Sequence, residues 1–239
     1  MAGARAKVAR RTTSEEIPAE GRLYGGMSAA ERRAGRRARL LTAGFDLFGT
    51  IGFQKTTIPM ICSASGVTAR HFYEEFPSRE ALLRSLYDQI HEATYVIVRD
   101  ALRALDKPHY ERVLASNTAY YHFLTEDPRR ARIYALESLG VSPELEQYRR
   151  ETRERSVRQL TRATEWLEPT GVLRNVDSRL VAVGLSSAAV AILAEWVLAS
   201  KKPSVEKMAE TLTMFWIRTL QMDRLDNAFS DQHHHTEHL

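Results

Sequence analysis

Length, composition and charge already narrow the classes of protein to which this chain can belong. With 239 residues, 44% of them hydrophobic and 27% charged, it can bury a sizeable core beneath an ordinary polar surface. Its single cysteine, Cys62, excludes an internal disulfide framework and is typical of a reducing cytoplasm. The first 80 residues hold 13 Lys and Arg against 8 Asp and Glu, a net of +5, whereas the whole chain carries +4. A basic N-terminal third on a near-neutral remainder indicates contact with a polyanion.

The two ends of the chain are predicted to lack regular structure. Residues 1–27 show no apolar periodicity and are interrupted by proline and glycine, so we interpret them as a flexible basic arm. No apolar segment follows the basic start, which excludes a secretory signal. Residues 226–239 are predicted to form a disordered tail. Its four histidines lack a fold that would hold metal ligands in place, and we expect no metal site there.

Capping residues predict the first two helices. Ser28 and Glu31 have the spacing of a capping box, and the long helix that they start ends before Gly52. Thr57 is a good N-cap for a second, shorter helix. Pro59 is tolerated in that helix because it falls in the first turn, where its missing N–H would be unpaired.

A third short helix follows after a tight turn. Gly66 is predicted to end the second helix with a positive φ, and Thr68 to cap a helix from Ala69 to about Glu75. Phe72 and Phe76, four residues apart, face inward. The polar residues on the outer face are Arg70, His71 and Glu74. Two short helices joined in this way have the shape that lays the second helix in the major groove of DNA.

The remainder of the chain is predicted to be helical. Ser78 caps a helix whose apolar stripe continues to about Asp106, a length of ~36 Å that can join two domains. The helices predicted after it cover about 108–127, 129–139, 143–167, 178–200 and 204–224.

The last two predicted helices have apolar faces that lack enough covering partners within one chain. Small residues crowd the helix at 178–200, and a wide apolar face runs along 204–224. We expect a homodimer through about 178–224, paired as a four-helix bundle; packing inside one subunit is the alternative. The segment Val181–Ala199 approaches the length of a membrane span, but Glu195 and two serines within it favour a packing helix, so no membrane contact is expected.

Motifs of common enzymes are missing from the sequence. It has no glycine-rich phosphate loop, no paired-cysteine zinc spacing, no HExxH and no GxSxG. We therefore expect no catalytic residues, no cofactor and no metal, and a protein that is not an enzyme. An all-helical enzyme with scattered catalytic residues, or a protein that binds another macromolecule through its basic part, are the alternatives.

Three segments in a fixed order carry a family resemblance: LLTAGFDLFGTIGFQKTTI (Leu40–Ile58), ICSASGVTARHFYEEF (Ile61–Phe76) and PSREALL (Pro77–Leu83). Together they resemble the DNA-binding part of the tetracycline-repressor (TetR) family of bacterial transcription factors. The resemblance implies an all-α fold with an N-terminal three-helix helix-turn-helix DNA-binding domain (28–82, the head) and a larger helical ligand-binding and dimerisation domain (83–225, the body).

The resemblance also implies roles for residues of the head. The positions that read bases are Ala69, Arg70 and His71. The positions that contact phosphate are Lys55, Thr57, Thr68, Tyr73 and Arg79. Arginine suits a guanine because its two N–H groups reach O6 and N7 together. Each assignment has an alternative: Tyr73 as half-buried packing, His71 as a surface residue, and the run Arg36, Arg37 and Arg39 as a solvated face instead of a backbone contact.

One pair of residues departs from the family pattern. Glu74 and Glu75 lie where family members often carry basic, aromatic or amide side chains near phosphate. Two carboxylates would repel DNA there unless they turn away or pair with Arg70 or Arg79.

For the body, the resemblance implies a small-molecule effector and a dimeric repressor. The apo dimer would bind a near-palindromic double-stranded operator in the cytoplasm, and ligand would tilt the fourth helix and release it; activation by the same fold is the alternative. The apolar character favours a hydrophobic or aromatic ligand. Candidate pocket residues are Tyr95, Tyr120, Tyr121, Phe123, Tyr134 and Trp166. Glu137 with Arg132, or Glu195, could orient the ligand, although a hydrogen bond across the dimer is preferred for Glu195.

Overall fold

The computed structural model describes residues 28–103, 108–164 and 177–220, and every regular element within those ranges is helical. The elements are α1 (Ala29–Thr50), α2 (Ile58–Ser65), α3 (Ala69–Glu75), α4 (Arg79–Leu102), α5 (His109–Glu126), α6 (Pro128–Arg132), a π-helical segment (Ile133–Glu137), α7 (Pro143–Thr164), α8 (Ser178–Leu198) and α9 (Val205–Leu220). The predicted all-α fold is confirmed. The predicted arm at 1–27 and tail at 226–239 lie outside the described residues.

The chain divides into two units, residues 1–35 and residues 36–239. The described part of the first unit contains the predicted capping box. Ser28 N donates to Glu31 Oε2 at 2.6 Å, and Glu31 N donates to Ser28 Oγ at 3.1 Å. These reciprocal bonds pair backbone N–H groups that the start of a helix leaves unpaired. All contacts described below lie within the second unit.

The helix-turn-helix has the predicted caps. Thr57 Oγ1 accepts from Met60 N at 3.4 Å, and Thr68 Oγ1 accepts from His71 N at 3.4 Å. Gly66 has φ +63°, the left-handed conformation that glycine adopts without a steric penalty. Local hydrogen bonds and one glycine therefore set the turn between α2 and α3.

A compact apolar core holds the helices of the head together. Phe72 and Phe76 face inward as predicted, being fully buried and 2% exposed, and Ile61 of α2 is also fully buried. Phe72 and Phe76 pack with ring centroids 6.1 Å apart. Burial of each such side chain contributes roughly 1.5–3 kcal/mol, so the short α2 and α3 are stabilised mainly by this packing.

The body is built around α5, which packs against both α4 and α9, while α8 packs against α7 and α9. Two long-range hydrogen bonds fix these helices. Asn117 Nδ2 on α5 donates to Thr213 Oγ1 on α9 at 2.9 Å in the buried interior. Tyr121 Oη donates to the carbonyl oxygen of Ala189 on α8 at 3.2 Å. Because buried polar groups cost free energy when unpaired, these bonds specify how the helices align.

The single helix predicted over 129–139 is instead two elements. Asp127 caps α6, and Pro128 occupies its first turn. From Ile133 to Glu137 the backbone widens into a π-helical turn. Within this segment Tyr134 contacts His91 on α4, and Glu137 bonds the backbone N–H of Phe53. Single-turn π-helical segments of this kind are frequent at functional sites.

Among the helices that the structure describes, one, α8, is long and apolar enough to cross a membrane, by length and composition alone. Only 22% of its most apolar window is buried within the single chain. Leu180 is 62% exposed and Leu198 is 68% exposed, and apart from its chain neighbours and the adjacent backbone of α8, no described atom lies within 4 Å of a β-carbon placed on Gly184. One face of α8 is therefore left uncovered by the described residues.

Candidate nucleic-acid interface and ligand cavity

Helix α3 presents its predicted base-reading residues to solvent. Ala69 is exposed, the Arg70 side chain is 88% exposed, and that of His71 is 42% exposed. His71 Nδ1 lies 3.1 Å from Thr68 Oγ1, which ties the imidazole back to the N-cap. Arg70 has a single partner among the described residues, Glu74, at 3.3 Å from Nε to Oε1. The guanidinium is thus held over the helix surface with most of its donors free to meet an acceptor.

The two glutamates that depart from the family pattern behave differently. The Glu75 side chain is 2% exposed and its carboxylate lies 3.9 Å from Arg36 Nη2, so it is turned into the head. Glu74 remains 43% exposed, between Arg70 and His71. One of the two carboxylates is therefore removed from the exposed face of α3, and the other neutralises a neighbouring cation.

Four of the predicted phosphate contacts are exposed in the structure. Lys55, Thr57, Thr68 and Tyr73 all lie at the surface, and Tyr73 is 57% exposed. The two threonines are the N-caps of α2 and α3, so their hydroxyls lie beside the backbone N–H groups of helix N-termini. Helix N-termini favour anions because unpaired N–H groups and the helix dipole both point outward there.

Arg79, the fifth predicted phosphate contact, is engaged inside the head. Its Nη1 donates to the carbonyl oxygen of Thr56, and its guanidinium carbon lies 4.1 Å from the centroid of the Phe53 ring. The side chain is half-buried. These contacts fasten the start of α4 to the loop between α1 and α2.

Two arginines of α1 also have partners within the head, which sequence analysis did not foresee. Arg37 Nη1 donates to the carbonyl oxygen of Glu75 at 3.2 Å, and its guanidinium lies 4.3 Å from the Phe76 ring centroid. Arg39 Nε donates to the carbonyl oxygen of Ser65 at 3.2 Å. Both arginines thus bond orphan carbonyls at the C-terminal ends of α2 and α3, where a cation also complements the helix dipole.

The body contains a cavity of about 350 Å³ with walls from α4, α5, α7, α8, α9 and the π-helical segment. Three of the predicted pocket residues, Tyr95, Tyr120 and Tyr134, line it. Tyr121 instead bonds Ala189, and Phe123 lines a separate open groove between α4 and α5. Trp166 lies outside the described residues.

Two wall residues that sequence analysis missed are Tyr87 and His91 on α4. The rings of Tyr87 and Tyr134 stack with centroids 5.2 Å apart, and His91 Nδ1 lies 3.1 Å from Tyr134 Oη. Burial, together with the charge of Arg155, lowers the pKa of His91 to about 4, so the imidazole is neutral at pH 7. The sequence does contain a signal for His91, because it is a polar residue that interrupts the apolar stripe of α4.

Helix α7 makes one side of the cavity basic. Arg149, Arg150 and Arg153 line it, together with Glu146. Glu146 Oε1 accepts from Gly140 N at 2.9 Å and from Arg149 Nη1 at 3.2 Å, so its charge already has two partners. Arg150 and Arg153 are exposed, which places them where the cavity meets solvent.

The π-helical segment also contacts the head. Glu137 Oε2 accepts a hydrogen bond from the backbone N–H of Phe53 at 2.7 Å, and Glu137 Oε1 accepts from Arg132 Nε at 2.7 Å. Nearby, Arg129 Nη1 lies 2.5 Å from Asp46 Oδ1 on α1. Glu137 and Arg132 are not part of the cavity wall, so the prediction that they orient a ligand is wrong. Glu137 instead bonds the head.

Comparisons with known proteins found one family model and several solved structures that this chain resembles. Residues 40–86 match the family model described as bacterial regulatory proteins, tetR family. The matched segment includes all of α2 and α3 and the start of α4. None of the curated proteins matches the chain.

The fold is similar to that of several solved regulators. The fatty acid degradation regulator FadR from Bacillus halodurans is 17% identical with a TM-score of 0.67, over 77% of this chain and 94% of that one. A bacterial regulatory protein in the tetR family from Rhodococcus RHA1 is 20% identical with a TM-score of 0.62, over 78% and 96%. The transcriptional regulator FadR from Bacillus subtilis, solved in complex with stearoyl-CoA, is 17% identical with a TM-score of 0.64, over 74% and 95%. The chain thus has the tetR-family sequence pattern over residues 40–86 and the fold of TetR-family transcriptional regulators.

Proposed function

We propose that this chain is a ligand-responsive transcriptional repressor that binds a near-palindromic operator as a homodimer and is released by a small hydrophobic or aromatic effector. The observation that carries the proposal is the exposed Arg70 and His71 on α3, inside the segment that matches the tetR-family model. In this position Arg70 can donate two hydrogen bonds to a guanine, a contact worth about 1–3 kcal/mol of discrimination.

The uncovered faces of α8 and α9 support the dimer. Leu180 and Leu198 on α8 and Phe215 on α9 are all more than half exposed. Exposed apolar side chains on two neighbouring helices are removed from water when a second copy covers them, and this burial is favourable. A two-fold dimer would present two copies of α3 to successive major grooves, which lie about 34–36 Å apart.

The contacts of the π-helical segment support a route from effector to DNA. Tyr134 of this segment lines the cavity, and its hydroxyl meets His91 on α4. Three residues later, Glu137 bonds the loop that precedes α2. An effector that displaces Tyr134 would therefore shift both α4 and the Glu137–Phe53 bond, and would change the spacing of the two heads. The solved complex of a structurally similar regulator with stearoyl-CoA supports the proposal that the effector is a small molecule.

Selection of bound sequences from a random duplex library tests the proposal. Purified full-length protein, at ~150 mM salt, is expected to enrich one inverted repeat, because only a dimer reads two matching half-sites at that ionic strength. An Arg70→Ala variant is the matched control and should enrich a degenerate site or none. A folded wild-type protein that enriches no sequence would contradict the proposal.

Repression itself is tested in a reporter strain. A promoter that overlaps the selected repeat should be transcribed less when the protein is present, and transcription should recover with effector. Higher transcription with the protein present would instead identify an activator, because the position of the operator relative to the promoter decides whether binding represses or activates transcription.

A further inference from the structure

Five side chains in the cavity wall carry buried polar atoms without a hydrogen-bond partner among the described residues. They are His91 Nε2, Tyr120 Oη, Arg149 Nε, Gln159 Nε2 and Trp216 Nε1. His91, Tyr120 and Trp216 are more than nine-tenths buried as whole residues. These residues come from α4, α5, α7 and α9, and the cavity is the feature that they share.

The unpartnered atoms are predominantly donors. Indole, guanidinium and amide nitrogens donate and do not accept, which covers Arg149, Gln159 and Trp216. The Tyr120 hydroxyl can donate as well. When the Tyr134 hydroxyl donates to His91 Nδ1, the neutral imidazole carries its proton on Nε2 and becomes a further donor. A buried donor without a partner costs free energy, so an occupant that supplies acceptors is favoured.

The charge of the wall favours the same kind of occupant. Three arginines of α7 line the cavity against one glutamate; Glu146 pairs with Arg149, so Arg150 and Arg153 leave the wall with a net positive charge. The buried imidazole and phenols add no charge, because burial lowers the pKa of His91 to about 4 and raises those of Tyr120 and Tyr134. An anion on the α7 side therefore meets a positive potential, whereas a cation is repelled.

The rest of the wall is apolar and suits a small molecule. Val98, Leu185, Val190 and Leu212 line it, beside the stacked rings of Tyr87 and Tyr134. A volume of about 350 Å³ lies at the lower end of the range for small-ligand sites, which is roughly 300–1,000 Å³.

We infer that the effector is a small organic acid, with an apolar or aromatic body among these side chains and a carboxylate or other acceptor-rich anion directed to Arg149. The inference rests on the proposed function, in that it names the ligand class of the cavity in the body. The acceptors can belong to the carboxylate of a free acid, or to the neutral carbonyl and the phosphates of an acyl thioester; both offer acceptors to the same donors.

Isothermal titration calorimetry on the full chain tests the inference with matched probes. Decanoate and 4-phenylbutanoate are the free acids, decanoyl-coenzyme A is the thioester, and decanamide and decylammonium are the neutral and cationic controls. The acids or the thioester should bind at least about tenfold more tightly than both controls, which corresponds to about 1.4 kcal/mol. Tighter binding of decanoate identifies a free acid, and tighter binding of decanoyl-coenzyme A identifies the thioester. Equal binding of acid and amide, tighter binding of the cation, or no binding of either anion class at ~1 mM would overturn the inference.

Variants separate a direct role of the wall from general damage. Arg149→Gln should lower acid affinity about tenfold and leave amide affinity unchanged, whereas Arg158→Gln, on an exposed part of α7 outside the wall, should change neither. Trp216→Phe keeps the ring but removes its donor, and should weaken acid binding severalfold even if Arg149→Gln fails to fold. If the protein enriches an inverted repeat but does not prefer acids, only the inferred ligand class is contradicted. If it binds acids but enriches no repeat, only the proposed role as a DNA-binding regulator is contradicted.

Discussion

The carboxylate of Glu137 accepts a hydrogen bond from the backbone N–H of Phe53 at 2.7 Å, across 84 positions of sequence. The same carboxylate pairs with Arg132 at 2.7 Å, and its side chain is 13% exposed. Shielding from water strengthens a charge-assisted bond of this kind. Glu137 therefore anchors the loop before α2 to the segment that carries Tyr134 into the cavity.

Loss of this anchor is expected to weaken both the fold and the response to effector. Glu137→Ala should lower the unfolding free energy by about 1–3 kcal/mol, because the Phe53 N–H and Arg132 both lose their acceptor. Urea denaturation gives the change in stability. Operator titrations with and without effector, followed by fluorescence anisotropy, should show a smaller loss of affinity on adding effector than in the wild type.

An exposed ion pair provides the matched control. Glu126 pairs with Arg130 at 3.3 Å, and its side chain is 62% exposed, so Glu126→Ala should change stability by less than about 0.5 kcal/mol. Equal effects of the two alanine variants would show that the Glu137 contact has no special role.

Two glycines with positive φ should respond differently to alanine. Gly52 has φ +90°, and a β-carbon there would lie 3.0 Å from Glu137 Oε2. Gly66 has φ +63°, and nothing lies within 4 Å of a β-carbon built on it. Gly66→Ala should cost about 1–2 kcal/mol of backbone strain alone, and Gly52→Ala should cost more because it also crowds the carboxylate. Thermal and urea unfolding of both variants check the order, and a larger cost at Gly66 would contradict it.

Two arginines of the head should separate DNA binding from stability. Arg70→Ala should weaken operator binding by about tenfold or more and change the unfolding free energy by less than about 0.5 kcal/mol, since its side chain is 88% exposed. Arg37→Ala should instead lower the unfolding free energy by about 1–3 kcal/mol, because it removes the donor to the Glu75 carbonyl and the contact with Phe76. Anisotropy and urea titrations measure the two quantities. If only Arg70→Ala lowered the unfolding free energy, the assignment of Arg70 to DNA binding and Arg37 to stability would be wrong.

His91 is expected to make the fold sensitive to acid. Its pKa falls from 6.5 to about 4 on folding, so between these pH values the unfolded chain binds a proton that the folded chain does not. The unfolding free energy should therefore decrease as pH falls through this window, by up to about 3 kcal/mol. Urea denaturation at about pH 7 and about pH 4.5 measures the difference.

His91→Gln should remove this part of the pH dependence, and His122→Gln, at an exposed site on α5, controls for the loss of an imidazole. An unchanged pH dependence in His91→Gln would show that other groups are responsible.

A charge on the uncovered face of α9 is expected to disrupt the dimer. Phe215 is 52% exposed, and Phe215→Glu would place a carboxylate in the proposed interface, where it could not be paired. Analytical ultracentrifugation should show a dimeric wild type and a monomeric variant. Val96→Glu, at a residue of α4 that is 40% exposed, should remain dimeric. A monomeric wild type at micromolar concentration would contradict the proposed homodimer.

The helix-turn-helix and most helix boundaries follow from the amino-acid sequence alone. Thr57 and Thr68 cap α2 and α3 through hydrogen bonds to residues three positions away, and Gly66 supplies a conformation that depends only on its own backbone. Such features can be read from a linear chain because their partners are close in sequence. The inward faces of Phe72 and Phe76 follow equally from helical periodicity.

Whether a polar residue lies on the surface, in the cavity wall or against another segment of the protein depends on tertiary packing. Arg79 and Glu137 resemble free surface charges in the sequence, yet their partners lie in distant segments. Tyr120 and Tyr121 are neighbours of the same residue type, but one lines the cavity and the other bonds α8, because a rotation of 100° per residue sends them to different sides of α5. Such choices depend on how helices pack against each other, which local periodicity does not specify.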